Sequence, residues 1–272
     1  MKRIIKTIFN KLGFDIVRMT KPLKSKANIQ IKYQVNFLND EKFEIEFKRL
    51  LLSGDQYFVP KYALHRPAVR KLLSGELYEP DTHNFVNKFC KSFKGSMVHA
   101  GTFFGDMLPS FSKCVSGYVY AFEPVLENYI LAKLCVEFNN LKNVILMNCA
   151  LSDDIRNLYI KKYESDGKHA GGASHISDDG TICVTISIDN LNIDDLVLIQ
   201  LDVEGHEISA LKGAQATIRK NRPVIAIEDN SNNCSEFLLD IKYEKVGQLP
   251  GLTIWSPIEN NVYKEKIVSI LT

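Results

Sequence analysis

Apolar and polar positions follow two different rhythms along this chain, and the change falls near Ser96. Beyond it, short apolar runs alternate with stripes at helical spacing. Residues 97–100 read as a strand. Met107, Leu108 and Phe111 make the next helix face, with Pro109 tolerated in its first turn. Residues 117–122 read as a second strand ending in Glu123-Pro124, and Leu126, Ile130, Leu134 and Phe138 form a helical stripe. A third strand over 143–149 closes at Ala150-Leu151-Ser152-Asp153. Strands over 157–162 and 181–188 flank a polar loop, 163–177. The run 196–201 is apolar throughout, as a fully buried parallel strand is. A helix through Leu211 follows, then a buried strand over 223–227 ending in Glu228-Asp229-Asn230. A short helix past Glu236 precedes 243–248 and 252–255, an antiparallel pair at one sheet edge.

Residues 1–80 lack this alternation and read as a helical or mixed N-terminal extension packing on a domain formed by 81–272. Phe43, Phe47, Leu50 and Leu51 fit one helix face. Pro67 near a first turn and Gly75 past an end bracket another helix, and Asp81 starts a third that carries Phe85, Val86 and Phe89 inward. Ile4, Ile5, Ile8, Phe9 and Leu12 make a stripe with lysines between. That stripe suits packing on the domain or on a second copy, and it also suits contact with a membrane surface. The expected architecture is α/β: a Rossmann-like three-layer sandwich with a mostly parallel sheet and right-handed crossovers.

Composition narrows the partners. The chain has 272 residues, 45% of them hydrophobic, enough for a sizeable core. A net charge of +2 argues against a nucleic-acid partner. Six cysteines without CxxC spacing read as reduced thiols of a cytoplasmic protein. No apolar run is long enough to cross a bilayer, and the basic start lacks the core of a signal peptide.

In sheets of this kind ligands bind beyond the carboxyl ends of the strands. The polar residues there are Gly101, Glu123, Asp202 and Glu228. Gly101 and Gly105 sit in a turn between a strand and a helix start, whose free N–H groups suit an anionic group. Glu123 follows Gly101 by 22 positions and can accept both hydroxyls of a ribose, which fits NAD and S-adenosylmethionine alike. Asp202 ends the most apolar strand, and His206 four positions on has the intrinsic pKa of a general base. Glu228, Asp229 and Asn230 with Asp202 are oxygen-rich enough for Mg²⁺, but they equally suit a metal-free site that positions a hydroxyl, the preferred reading. His169 and His175 flank Gly171-Gly172-Ala173-Ser174, a loop placed to act as a lid.

The order of these motifs resembles the FkbM family of S-adenosylmethionine-dependent methyltransferases. The residues that carry the resemblance are the glycine turn, Tyr120-Ala121-Phe122-Glu123-Pro124, Asn148-Cys149-Ala150-Leu151-Ser152, Gly171-Gly172-Ala173-Ser174, and Leu201-Asp202-Val203-Glu204-Gly205-His206-Glu207 with Leu211-Lys212-Gly213-Ala214. The resemblance implies the class I methyltransferase fold and methyl transfer to a hydroxyl of a sugar, glycan or secondary metabolite. It implies that His99, Ala100, Gly101, Thr102, Gly105 and Asp106 surround the methionine part of the cofactor. Glu123 and Pro124 would meet its ribose, Ala150 and Leu151 would lie beside its adenine, and Ser152 or Asp153 would stand near the adenine's amino group. Glu79 would also reach the cofactor, and Asp202 would face the methyl group. Asp202, His206 and Asp229 are the candidate catalytic residues. Two positions depart from the family pattern: His99 replaces an aspartate that helps hold the cofactor's ammonium group, and Phe103 replaces an asparagine. Asp106 is the nearest acid to compensate. Two alternatives are a nicotinamide-dependent oxidoreductase, disfavoured by the missing third glycine, and a non-catalytic methyltransferase-like binding protein, motivated by His99.

Overall fold

The computed structural model describes residues 30–36, 42–229 and 233–272. The stripe from Ile4 to Leu12 and Asn230 lie outside the described residues. The chain first forms an antiparallel sheet of β1 (Gln30–Asn36), β2 (Lys42–Leu52) and β3 (Asp55–Pro60). The helix expected at Phe43 to Leu51 is therefore a strand. Glu44 and Glu46 are exposed while Ile45 and Phe47 are buried, a period of two, not 3.6. Ser53 and Gly54, both at positive φ, join β2 to β3 in a two-residue hairpin loop whose twist matches the strands. Helix α1 (Pro67–Leu73) starts on its proline and is followed by Gly75 at φ +85°. Helix α2 (Pro80–Ser92) also starts on a proline. Glu79, in the left-handed region, is its N-cap, and Asp81 stands in the first turn instead of capping it.

The alternating part comes next: β4 (Ser96–Ala100), α3 (Leu108–Cys114), β5 (Val119–Phe122), α4 (Leu126–Phe138) and β6 (Val144–Met147). The strand expected over 143–149 divides in two. Asn148 turns its amide onto the carbonyls of Glu123 (2.8 Å) and Pro124 (3.1 Å), and the chain leaves the main sheet there. A smaller sheet follows, built from β7 (Ala150–Leu151), β8 (Asn157–Lys161), β9 (His175–Ser177) and β10 (Thr181–Ile186) in the order β7-β10-β8-β9. The main sheet resumes with β11 (Leu196–Leu201), followed by α5 (Glu207–Lys212), α6 (Gln215–Asn221), β12 (Val224–Ile227), α7 (Asn233–Asp240), β13 (Tyr243–Leu249) and β14 (Leu252–Pro257). A last helix, α8 (Asn261–Leu271), is absent from the sequence expectation. The Asn260 side chain accepts from Tyr263 N–H at its start, and Ile267 and Ile270 are buried.

The main sheet has seven strands in the order β13-β14-β12-β11-β4-β5-β6. From β12 to β6 all neighbours are parallel, and β14 runs antiparallel between β12 and β13. Every residue of β4, β11 and β12 is buried, because helices cover both faces. One face packs Met97, Phe85, Phe89, Phe111 and Ile267; the other packs Val98, Ile199, Ile225, Leu211 and Ile218. A third cluster joins the N-terminal sheet to the domain: Ile45, Phe47, Phe58, Val69 and Leu72 meet Phe103, Phe104, Leu131 and Leu134. Gln56 and Asn139 exchange backbone-to-side-chain hydrogen bonds of 2.7 Å beside it. Among the described residues no helix is long and apolar enough to cross a membrane.

Candidate cofactor and acceptor cleft

The register of the sheet places the four strand-end residues on one level. Ala100 pairs with Phe122 and with Leu201, and Leu201 with Ile227. One residue further along, Gly101, Glu123, Asp202 and Glu228 stand side by side past four parallel strands. A cleft of about 490 Å³, mouth included, opens above them. Of the predicted site residues, Ala100, Gly101, Glu123, Pro124, Ala150, Leu151, Asp202 and His206 line it. Glu79, His99, Thr102, Gly105, Asp106, Ser152 and Asp229 stand outside its wall.

The glycine turn has a structural reason. At Gly101, φ +89°, a Cβ would lie 1.9 Å from the Asp202 carbonyl oxygen, so glycine lets the turn cross the end of β11. Gly105 lies 3.0 Å, by the same measure, from Ala132 Cα of α4. Thr102 is buried and donates its N–H to the Phe122 carbonyl at 3.2 Å. Phe103 adopts φ 50° without being glycine, a left-handed conformation that asparagine tolerates better. Its ring is buried under Gly171 and Gly172, and its N–H donates to Glu123 Oε2 at 2.8 Å.

Glu123 is buried and well supplied with donors. Oε1 accepts from Val125 N–H at 2.9 Å and from the Asn128 amide at 3.2 Å, while among the described residues Oε2 accepts only from Phe103. Burial pushes the carboxyl up to about 8 against the pull of those three hydrogen bonds. A carboxylate oxygen accepts two hydrogen bonds, so Oε2 retains one position for a ligand hydroxyl.

His99 is fully buried on the face of β4 away from the cleft wall. Its Nδ1 pairs with Gln200 Oε1 across the β4–β11 ladder, which puts the proton on Nδ1. Nε2 is buried without a partner among the described residues, and the ring meets Phe111 edge-on. Burial pushes the imidazole down to about 4, so it is neutral at neutral pH. Asp106 is buried as well, its carboxyl pushed up to about 7 by burial and then by Glu79. Glu79 accepts from the Thr82 hydroxyl at 3.1 Å and is raised by burial and then by Glu228. Asp202 is hydrogen-bonded to Glu228, and burial with that partner lifts it well above the ordinary carboxylate range. Among the described residues no group of three or more His, Cys, Asp or Glu side chains is arranged to hold a metal ion.

At the other end of the cleft Ala150 and Leu151 face Ile160 and Ile176. The buried Ser152 hydroxyl donates to Asp153 Oδ1 (2.9 Å) and contacts His206 Nε2 (3.1 Å). That hydroxyl has one proton, so His206 donates from Nε2 and keeps its lone pair on Nδ1. Burial and then Arg156 lower the His206 pKa. Asp229 accepts from Cys234 N–H at 3.1 Å, at the start of α7. His169 supports the loop: its Nδ1 accepts from Gly171 N–H at 2.9 Å, and Gly171, Gly172 and Ser174 line the cleft.

Three residues have structural roles that the sequence reading did not assign. Asn128, in the first turn of α4, is masked by the apolar stripe around it. Glu207 Oε1 accepts from Val203 and Gly205 N–H at 3.0 and 3.2 Å, closing a turn in which Glu204 and Gly205 have positive φ. That turn explains the spacing of Asp202-Val203-Glu204-Gly205-His206-Glu207. Gly213 is required because a Cβ there would lie 2.0 Å from the Ser152 carbonyl oxygen.

A sheet in this order, with one reversed strand next to the edge and a cleft above β4, β5 and β11, is a three-layer α/β fold, and the family model places it in the methyltransferase class. The chain belongs to the FkbM methyltransferase family: the methyltransferase FkbM domain matches residues 99–245, more than half of the sequence. Similar solved structures include a methyltransferase FkbM from Methylobacillus flagellatus KT, 19% identical over 60% of this chain and 43% of that one, with a TM-score of 0.47. A SAM-dependent methyltransferase from Aquifex aeolicus is 17% identical over 71% of this chain and 94% of its own, at 0.40. A Streptococcus mutans protein in complex with SAH is 14% identical over 64% and 94%, at 0.39. The chain thus spans less than half of the Methylobacillus protein. No curated protein sequence matches it.

Proposed function

We propose that the protein is an S-adenosylmethionine-dependent O-methyltransferase acting on a hydroxyl of a sugar, glycan or secondary metabolite. The observation that carries this reading is Glu123: a buried carboxylate at the end of β5, level with Gly101 and Asp202, with an acceptor position left on Oε2. The donor set fits the cofactor. Glu123 would accept a ribose hydroxyl, the apolar walls of Ala150, Leu151, Ile160 and Ile176 would enclose a ring, and the Asp202 carboxyl at the cleft wall offers acceptor oxygens to the rest of the cofactor. The bound cofactor supplies the electrophilic methyl group.

The chain's own residues do the rest. Gly101 brings the turn against Asp202 and so fixes the distance between the two halves of the cleft. Asp202, hydrogen-bonded to Glu228, is the group placed to take the acceptor's hydroxyl proton; a raised pKa makes it a stronger base once ionised. His206 Nδ1 is the second candidate. Asp229, engaged at α7, ranks behind Glu228. Six buried free cysteines support a reducing compartment such as the cytoplasm.

Isothermal titration with S-adenosylmethionine and S-adenosylhomocysteine tests the cofactor. Binding is expected, and Glu123→Ala is expected to weaken it about tenfold through loss of the hydrogen bond to the ribose. Absence of heat with either compound would sink the reading. Transfer of labelled methyl from the cofactor to a panel of sugars and glycans tests the acceptor class. The neutral His99 favours a second reading, a binding protein without turnover. It predicts binding without transfer, and tighter binding in His99→Asp.

A further inference from the structure

Asn128 stands at a junction of three segments. Its side chain is buried in the first turn of α4. The Nδ2 group donates to Glu123 Oε1 and to the Gly171 carbonyl, both at 3.2 Å, and Oδ1 accepts from the Tyr62 hydroxyl at 2.8 Å. Gly171 can only accept through its carbonyl, while the hydroxyl of Tyr62 can turn, so only this orientation of the amide satisfies all three partners. Tyr62 lies between β3 and α1, and its ring rests on His169 at 4.4 Å, whose Nδ1 holds the Gly171 N–H. Gly171 and Gly172 in turn press on Phe103, which donates to the other oxygen of Glu123. The N-terminal sheet region, α4, the small-sheet loop and the glycine turn thus close a ring around one carboxylate.

We infer that Asn128 is a positioning residue for Glu123 and, through the same amide group, a latch that holds the Gly171–Ser174 loop against the cleft. This rests on the cofactor reading above. One side chain sets the direction of the ribose-binding oxygens and the place of the loop that lines the opposite wall. Losing the loop contact leaves Glu123 short of an orienting partner, and losing the Glu123 contact frees the loop. Other groups facing Glu123 are Glu127, itself ion-paired with Lys162 from the loop side, and Tyr62. The first disfavours ionisation of Glu123 and the Asn128 amide favours it.

The test titrates the full chain with S-adenosylhomocysteine from pH 6.5 to 9.5 and follows amide exchange of residues 169–174 without ligand. In the unsubstituted protein affinity is expected to rise as pH passes about 8, where Glu123 becomes a carboxylate. Asn128→Leu is expected to bind about tenfold more weakly, to move that rise to higher pH, and to exchange faster in the loop. Tyr62→Phe removes only the hydroxyl that orients the amide and is expected to shift all three readouts the same way by less, which covers poor folding of the first variant. Weaker binding with an unmoved pH midpoint would make Asn128 merely structural and overturn the positioning role. Unchanged loop exchange in both variants would overturn the latch. If the unsubstituted protein takes up no S-adenosylhomocysteine at any pH, the cofactor reading falls with the positioning role, while loop exchange still decides the latch.

Discussion

Burial sets the charge of the site residues more than their neighbours do. Glu123 and Asp106 are pushed up to about 8 and 7, from 4.5 and 3.8, while His99 and His169, and with them the buried His83 of α2, are pushed down to about 4 from 6.5. The two sets pull stability in opposite directions. The acids are neutral in the fold, so their contribution is complete below their ordinary values and is lost as pH rises through 7 and 8. The histidines are also neutral in the fold, so theirs is complete above 6.5 and is lost as pH falls towards 4. Thermal stability is expected to peak near pH 6.5. A fall on the order of 5 °C is expected by pH 9 in scanning calorimetry, with Glu123→Gln flattening that alkaline limb. Glu123, Gly101 and Asp202 were legible in the sequence because a polar residue at the end of an apolar run marks a sheet edge. Asn128 was not, because its partners Tyr62 and Gly171 are remote in sequence and no local pattern brings the three together.

At the scale of elements, the turns decide the geometry. Gly213 and Gly205 make a controlled pair. A Cβ at Gly213 meets the Ser152 carbonyl at 2.0 Å, whereas at Gly205 it meets nothing within 4 Å and only the φ of +94° resists substitution. Gly213→Ala is expected to cost about 3 kcal/mol and Gly205→Ala about 1 kcal/mol by urea denaturation. The motif Leu211-Lys212-Gly213-Ala214 was visible in the sequence, but its cause lies at Ser152 on the far side of β11. The strand β2 was misread because Phe43, Phe47, Leu50 and Leu51 satisfy a helical spacing by coincidence. The alternation of Glu44, Ile45, Glu46 and Phe47 carries the true period. The small sheet was missed as a unit because β7 is two residues long and pairs in parallel with β10, a contact no local pattern reveals.

At the scale of the molecule, the mostly parallel sheet between helical layers followed from alternating strands and helices, and its antiparallel edge from the closely spaced last strands, whereas the strand order did not. The N-terminal sheet did not follow. It is held by Phe58, which packs on Phe47 and Phe138, and by the cluster that includes Phe103 and Phe104 of the glycine turn. Phe58→Ala is expected to cost about 4 kcal/mol. It is also expected to weaken S-adenosylhomocysteine binding, because the cavity opens beneath the turn; unchanged affinity in the folded variant would separate the two regions. The same shared core has a consequence for synthesis. The apolar side of β2, β3 and α1 leaves the ribosome before Phe103, and well before Leu131 and Leu134, the residues that cover it. The central strand β4 waits longer still, for β11. A nascent chain of this protein therefore carries an uncovered greasy face through much of its translation, and its yield is expected to respond to ribosome-associated chaperones and to translation speed.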